Sequence, residues 1–310
     1  MKVVSLFSGA GGLDLGFQNA GFNIVWANDF DDDACKTYSL NIGNHITHAN
    51  VADIPSTDIP DCDVIIGGFP CQGFSQANLK RSTKDDRNQL YLEFLRIVKD
   101  KKPKFFVAEN VRGILSLDNG NAIKQIIKDF SDAGYSIKYQ LFNTADYGVP
   151  QTRYRVIIIG VRTDLNFEYT FPLPTHINPK KKKSSNLNLW ISISDALKNI
   201  IEPEDNHTLK NHVYSQYKVT NRNFTGHRAT DPDKPSPTIL ARGNGKGGVC
   251  AIQHPKNHRR MSIRESALIQ TFPLDFEFIG SMTSCYRQVG NAVPVLFAQK
   301  IAESLIKEFC

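Results

Sequence analysis

Asp63-Val64-Ile65-Ile66-Gly67-Gly68-Phe69-Pro70-Cys71-Gln72-Gly73-Phe74-Ser75 runs from an apolar stretch into a cysteine held between a proline and a glycine-bearing loop. The run Asp63 to Gly68 reads as a strand buried on both faces, the kind found in parallel sheets. Ligands of open α/β sheets collect outside the carboxyl ends of such strands. Cys71 follows that end directly. A free cysteine commonly packs as a small buried hydrophobe, and this chain has six cysteines. Here, however, proline fixes its own φ and restricts the residue before it, while Gly67, Gly68 and Gly73 let backbone or substrate come close. The thiol therefore reads as presented to a ligand.

Outward from this stretch, apolar strands alternate with amphipathic helices. Val3 to Phe7, Ile24 to Asn28, Val64 to Gly67 and Phe105 to Ala108 are predicted strands, with helical segments such as Leu90 to Val98 between them. This is the βαβ signature of a parallel sheet, so the fold class is α/β. Ser136 to Phe142 and Arg155 to Val161 are expected to complete the sheet near its edge. From about Phe171 the character changes: Pro172, Pro174, Pro179 and the run Lys180 to Lys183 open a polar, basic, turn-rich stretch. The lysine run reads as a solvated linker, with a phosphate contact as the alternative. Val293 to Phe309 is predicted as an amphipathic helix that packs on the large domain. At 310 residues, one large domain plus a smaller one is expected.

The formal net charge of +6 is modest, but the positive residues are unevenly spread, which points toward a polyanionic partner. Cysteines at 35, 62, 71, 250, 285 and 310 form no CxxC pair and suit a reducing compartment. The start Met-Lys-Val-Val-Ser-Leu-Phe lacks a signal-peptide core, and no apolar run approaches the roughly 20 residues that span a bilayer. A soluble intracellular protein with no membrane association is the expectation.

Strand Val3 to Leu6 runs into Phe7-Ser8-Gly9-Ala10-Gly11-Gly12-Leu13-Asp14-Leu15-Gly16 and then into a helix. A glycine-rich turn of this kind presents free N–H groups and admits a ligand to the backbone. It is not GxGxxG, because Asp14 stands in place of the third glycine, and this disfavours a dinucleotide. Asp29-Phe30 follows the next strand, where a carboxylate can accept from ribose hydroxyls and a ring can cover an adenine. Asp53-Ile54, at the third strand end, can accept from an adenine amino group. Each acid alone also reads as a cap or turn residue. Together they point to a nucleoside without a pyrophosphate.

The ordered set "FSGAGGLDLGF", "GGFPCQGFS", "AENVRG", "QTRYRVIIIG", "RESALIQTFP" and "GNAVP" resembles the DNA (cytosine-5)-methyltransferases, most closely the compact bacterial restriction-modification type. The resemblance covers nearly the whole chain outside about 172 to 260, and six motifs in order are highly specific. It implies a Rossmann-like S-adenosylmethionine-dependent methyltransferase domain over residues 1–171, a target-recognition domain inserted over 172–260, and a return to the catalytic domain over 261–310. Carried over by motif, Phe7, Gly9, Gly11 and Leu13 line S-adenosyl-L-methionine. Asp29 falls on its ribose, Phe30 on its adenine, and Asp53 with Ile54 beside the adenine amino group. Pro70, Leu90, Asn291 and Val293 match further cofactor positions.

Cytosine C5 is too poor a nucleophile to take a methyl group directly, so attack at C6 must first generate an enamine. The resemblance makes Cys71 that nucleophile and Glu109 the group that shares a proton with N3. Arg153 and Arg155 alternate with Gln151 and are expected on one face of a strand, one holding the base O2 and the other supporting the loop; edge salt bridges are the alternative. A base inside a duplex must be flipped out to reach such a site. Gly73 to Asn88 suits a mobile lid, with Ser75, Lys80, Arg81 and Arg87 as phosphate contacts, or else is an inert loop.

Between 207 and 264 lie Arg222, Arg228, Arg242, Lys246, Arg259, Arg260 and five of the eight histidines. "PSPTILARGNGKGGVCAIQH" reads as two short strands joined by a glycine-rich turn, with Arg242 and Lys246 near its tip, where arginine can read guanine. Arg228 is a further candidate DNA contact. Cys250, His254 and His258 have zinc-like spacing, but Pro255 interrupts them and no fourth ligand is evident, so no metal is expected. The partners implied are double-stranded DNA and, functionally but without a stable complex, a restriction endonuclease; the implied enzyme is a monomer in the bacterial cytosol. The rival readings are an RNA (tRNA) cytosine-5 methyltransferase and a non-catalytic DNA-binding protein of the same fold.

Overall fold

Runs of β-branched and aromatic residues become one seven-stranded sheet in the computed structural model, which describes residues 1–69, 86–181, 186–216, 230–241, 252–256 and 259–306, with the backbone alone for 86–89. Its strands are β1 (Lys2–Leu6), β2 (Asn23–Asp29), β3 (Ile46–His48), β4 (Val64–Gly67), β5 (Phe105–Val111), β6 (Tyr135–Asn143) and β7 (Tyr154–Arg162). They lie in the order β3-β2-β1-β4-β5-β7-β6. Strands β1 to β5 pair in parallel, as expected for β1, β2, β4 and β5, and β7 runs antiparallel to both β5 and β6. The sequence reading omits β3: Ile46-Thr47-His48 is short and half polar, so it lacks the apolar run that marks its neighbours. Phe7 falls outside β1, because its φ of +56° turns the chain out of the strand.

Helices α1 (Gly12–Asn19), α2 (Asp32–Asn41), α3 (Asp86–Lys101) and α4 (Asn121–Asp132) connect successive strands. The helix expected over Leu90 to Val98 is α3, which starts at Asp86 and so takes the last residues of the expected lid into its first turn. Alternation along each strand feeds two cores. One face buries Val3, Ile24, Val64, Ile66, Val107 and Ile157 with Phe17 of α1. The other buries Val4, Leu6, Ile65, Phe106 and Ile158 against Phe94 of α3 and Ile126 and Phe130 of α4.

The expected helix Val293–Phe309 is shorter and preceded by a break. After α5 (Ile193–Leu197) and α6 (Ile263–Ile269), helix α7 covers Met282–Asn291 and α8 covers Val295–Ile306, while 307–310 lie outside the described residues. The break falls at Val293-Pro294, where proline biases the preceding residue away from helix. Helix α8 completes the first core with Phe297, Ile301 and Leu305. A third core joins Ile193, Leu197, Ile239, Met261, Ile263, Phe272 and Val289 to Ala10 of the first loop. The strand expected over the first half of "PSPTILARGNGKGG" is not formed by Pro235 to Ala241, whose sole ladder contact is a bridge from Ser236 to Gln151. Two prolines remove donors there, and side chains of Gln151 and Arg153 take the backbone groups of Ile239 instead.

Gly16 is the closest point between α1 and α8: a Cβ there would lie 2.4 Å from Ala298 Cβ and 2.7 Å from both Val295 O and Gln299 N. Helix propensity alone favours alanine over glycine by about 1 kcal/mol, but backbone atoms cannot move aside as a flexible side chain can. Gly16→Ala is therefore expected to destabilise the protein by about 1–3 kcal/mol through overpacking. Denaturant unfolding tests the sign: a stabilised variant would show that α8 yields.

Candidate active site at the carboxyl edge of the sheet

The strand order reverses between β1 and β4, whose ends Leu6 and Gly67 are paired. Such a switch point opens a crevice between the two loops that leave the adjacent strands. On one side, Phe7, Gly9 (φ +54°) and Gly11 (φ +85°) turn the chain into α1. Glycine is needed at Gly11, where the left-handed backbone combines with a Cβ position only 2.1 Å from Ile42 Cδ1. Space around the Cβ position of Gly9 is open to 4 Å. The N–H of Gly9 donates to Asp29 Oδ2 at 2.7 Å, and that of Asp31 to Asp29 Oδ1 at 2.9 Å, so Asp29 ties the loop to the end of β2. Burial pushes the Asp29 carboxyl above its ordinary value, with the backbone donors of Asp31, Gly9 and Phe30 opposing. The next residue, Phe30, leaves 70% of its surface exposed, unusual for so large an apolar ring.

The remaining expected cofactor residues divide by environment. Asp53 is exposed at the end of a 3-10 turn, five residues after β3, whereas Ile54 is buried in the second core. Leu90 packs half-buried against that same core. Asn291 is exposed, while Val293 is buried with Leu13 and Phe17. A Cβ on Gly12 would lie 2.5 Å from Val293 O, so the glycine loop and the Gly290–Val293 turn are in direct contact. The structure thus brings Phe7 to Leu13, Asp29, Phe30 and Val293 to one edge. Pro70 lies outside the described residues.

Across the crevice, β5 delivers Glu109 and β7 delivers Arg155, and the Glu109 carboxylate pairs with the Arg155 guanidinium. Both side chains are largely buried, at 12% exposure each, where an ion pair is weakly screened. A Cβ on Gly68 would lie 3.1 Å from Glu109 Oε2, so Gly68 leaves this carboxylate room beside the loop that leads to Cys71. The neighbouring Asn110, also buried, donates from Nδ2 to Phe69 O at 2.9 Å while its Oδ1 accepts from Val111 N. Successive residues of β5 therefore address the same loop from the two faces of the sheet. Asn110 has no signal in composition or periodicity; only its place beside Glu109 at a strand end singles it out.

Arg153 and Arg155 do different work. Arg155 faces Glu109, but Arg153 is 1% exposed and donates to Ile239 O and Gly290 O, both at 2.9 Å. Burial, and then the nearby Arg155, push its guanidinium well below the ordinary arginine range, and Glu109 opposes them. Of the cysteines, Cys35, Cys62 and Cys285 have thiols pushed up to about 12, 12 and 11 by burial and are inert as thiolates. Cys71 and Ser75 lie outside the described residues, as do Arg228, Arg242, Lys246, Cys250 and His258; Arg87 sits in the first turn of α3 with its side chain outside them. Arg259 does not present its charge outward: it is clamped by Glu265 and Glu202 at 2.6–2.9 Å. His254 faces Glu265 at 3.8 Å.

The family model of C-5 cytosine-specific DNA methylases matches residues 1–307. The chain belongs to that family. As a family member it is a DNA (cytosine-5-)-methyltransferase acting on DNA. It is 40% identical to the type II methyltransferase M.NgoFVII of Neisseria gonorrhoeae, over 99% of this chain and 87% of that protein. It is likewise 40% identical to M.FnuDI of Fusobacterium nucleatum, over 98% and 95% respectively. Among solved structures, one described as a prophage-encoded DNA modification methyltransferase of E. coli superposes with a TM-score of 0.77 at 25% identity, covering 100% of this chain and 99% of the other. The α/β fold with its mostly parallel sheet is that of this methyltransferase family. No helix of the described residues is long and apolar enough to cross a membrane.

In this methyltransferase Asp14 is fully buried beneath the glycine loop, where the Tyr38 hydroxyl donates to its Oδ1 at 3.0 Å. Burial pushes its carboxyl up to about 6, with the hydroxyls of Ser5 and Tyr38 partly opposing. A group whose folded value lies above its ordinary 3.8 stabilises fully below pH 3.8, and the contribution is lost as pH rises through about 6. Asp14→Asn is expected to abolish that loss and exceed the wild type in stability at pH 7.5 by about 3 kcal/mol. Unfolding at pH 4 and pH 7.5 checks this, since a difference independent of pH would acquit Asp14. Asn110→Ala, which frees the Phe69 carbonyl, is expected to lower kcat about tenfold with cofactor affinity unchanged, one hydrogen bond being worth about 1.4 kcal/mol. Single-turnover rates and calorimetry separate the two quantities.

Proposed function

We propose that the enzyme methylates C5 of a flipped-out cytosine in a specific short sequence of duplex DNA through a covalent Cys71–C6 adduct. The observation that carries this reading is the Glu109–Arg155 pair set against Gly68, three residues before Cys71 in sequence. The cofactor is S-adenosyl-L-methionine, which when bound supplies an electrophilic methyl group. The residues present fit it: open space at Gly9, an exposed Phe30 ring for an adenine, and an Asp29 carboxylate at the end of β2 whose oxygens can accept from a ribose. Asp53 serves the adenine amino group, and Phe7, Gly11, Leu13, Ile54, Pro70, Leu90, Asn291 and Val293 complete the site.

In this mechanism the Cys71 thiolate forms a bond to C6, and the displaced π electrons build charge toward N3 and C5. Glu109 shares a proton with N3, and Arg155 holds the Glu109 carboxylate in place and accompanies the base O2. Arg153 supports the loop. After C5 is methylated, a base removes the C5 proton, the S–C6 bond breaks and the 5,6 double bond returns, with water able to serve as that base. Flipping the cytosine out costs a few kcal/mol, and contacts from Ser75, Arg87, Arg228, Arg242 and Lys246 to the duplex offset it. Residues 1–171 and 261–310 make up the catalytic domain and 172–260 the target-recognition domain. The type II names of the relatives support a role in protecting host DNA from a restriction endonuclease; the enzyme acts as a cytosolic monomer without a stable complex with that endonuclease.

Fluorine at C5 cannot leave as a cation, so a duplex bearing 5-fluorocytosine at the target is expected to trap the protein after methylation in a denaturation-resistant adduct. The cross-linked peptide should contain Gly68-Phe69-Pro70-Cys71-Gln72 and should require cofactor. Cys71→Ser should give no adduct, a hydroxyl being far less ionised at neutral pH. An adduct undiminished in Cys71→Ser, or formed with transfer RNA in preference to duplex DNA, would overturn this reading.

A further inference from the structure

Three polar side chains with almost no exposed surface, Gln151, Arg153 and Gln270, converge on Ile239 and the end of α7. Gln270, just after α6, donates from Nε2 to Val289 O at 2.7 Å and to Ala292 O at 3.0 Å. Its Oε1 accepts from Gln151 Nε2 at 2.8 Å, and Gln151 Oε1 accepts from Ile239 N at 2.9 Å. Arg153 binds Ile239 O and Gly290 O. Both backbone groups of Ile239 and three carbonyls of the 289–292 turn are thus held by one set of side chains. Two segments are thereby pressed together: a Cβ on Gly290 would lie 2.5 Å from Leu240 O and 2.6 Å from Ala241 N.

We infer that Gln270 is a positioning residue that fixes the Asn291–Val293 turn and, through Gln151, the entry of the recognition segment at Ile239, three residues before Arg242. The inference rests on the reading of Asn291 and Val293 as cofactor contacts and of Arg242 as a base reader. A packing role alone would be met by an apolar side chain of equal size, since burying amides gains little net stability even when every bond is made. What the amides add is register, because each bond is directional and, apart from the Gln151–Gln270 contact itself, each partner is backbone. Arg155 stands two residues beyond Arg153, so the same register extends to the Glu109 pair. Gln151 touches the recognition segment directly but reaches the cofactor turn only through Gln270, and this asymmetry makes the two residues separable.

The full-length protein carrying Gln270→Met, Gln151→Met or both would be compared with wild type by thermal melting, by calorimetry with S-adenosylhomocysteine, and by bisulfite mapping of plasmid DNA from expressing cells. Gln270→Met is expected to weaken S-adenosylhomocysteine about tenfold, as for loss of one to two hydrogen bonds, and to spread methylation to sites outside the wild-type consensus. Gln151→Met should spread the map while leaving cofactor affinity within about twofold, and the double variant should bind no more weakly than Gln270→Met, because coupled members of one network are not additive. Wild-type affinity and an unchanged map in Gln270→Met, whatever its melting temperature, would reduce Gln270 to packing and overturn the inference. If Gln270→Met does not fold, an unchanged map in Gln151→Met has the same force, and a spread map sustains the link to Ile239. A wild-type protein that methylates no cytosine would instead overturn the functional reading.

Discussion

The guanidinium of Arg153 is the charge on which the active edge depends. It lies 1% exposed, with two backbone carbonyls rather than a carboxylate as its nearest partners. A cation so placed resists every rearrangement that would remove one of its acceptors, because an uncompensated buried charge is far more costly than a lost surface contact. Ile239 and Gly290 come from segments more than 50 residues apart in sequence, and neither forms a ladder with the strand that follows Arg153. The ion therefore does for these segments what inter-strand hydrogen bonds do for a sheet.

With that edge fixed, chemistry is distributed by topology. The crevice lies where strand order reverses, between β1 and β4. One loop is held by Asp29 and pressed against Val293. The other, leading to Cys71, is flanked by Glu109 and Asn110 of the neighbouring strand. Antiparallel β7 sends Arg155 to the same end of the sheet from the opposite chain direction, pairing it with Val111 and placing it diagonal to Glu109. A purely parallel sheet would have brought the start of that strand, and its arginine, to the far end.

The parallel strands were legible because a strand buried on both faces must be a continuous apolar run, and β1, β2, β4 and β5 are such runs. β3 was not, since three residues with a threonine and a histidine carry no pattern. Asp14 in place of a third glycine is visible in the sequence; that its carboxyl is entombed under Tyr38 depends on α2, the two residues of the hydrogen-bonded pair lying 24 apart in the chain. Arg153 and Arg155 look equivalent in "QTRYR", and only the tertiary surroundings divide them into a buried clamp and a partner for Glu109. The Gln151–Gln270 contact spans 119 residues between two amides, and no local periodicity encodes such a pair. The segment Pro235 to Ala241 was least legible because the backbone groups of Ile239 go to the side chains of Gln151 and Arg153, 88 and 86 residues away, so its path is not a local property.

The contact between α1 and α8 bears on how the molecule comes into being. One face of the sheet owes Phe297, Ile301 and Leu305 to the last described helix, so a nascent chain holding β1, β2 and β4 has an uncovered apolar surface until about 300 residues have been translated. Contacts that close over such separations are slow to form, and the waiting surface is prone to aggregate. The order of synthesis thus sets the order of burial: Phe17 of α1 can cover this face early, but the surface that α8 closes must wait for nearly the whole described chain.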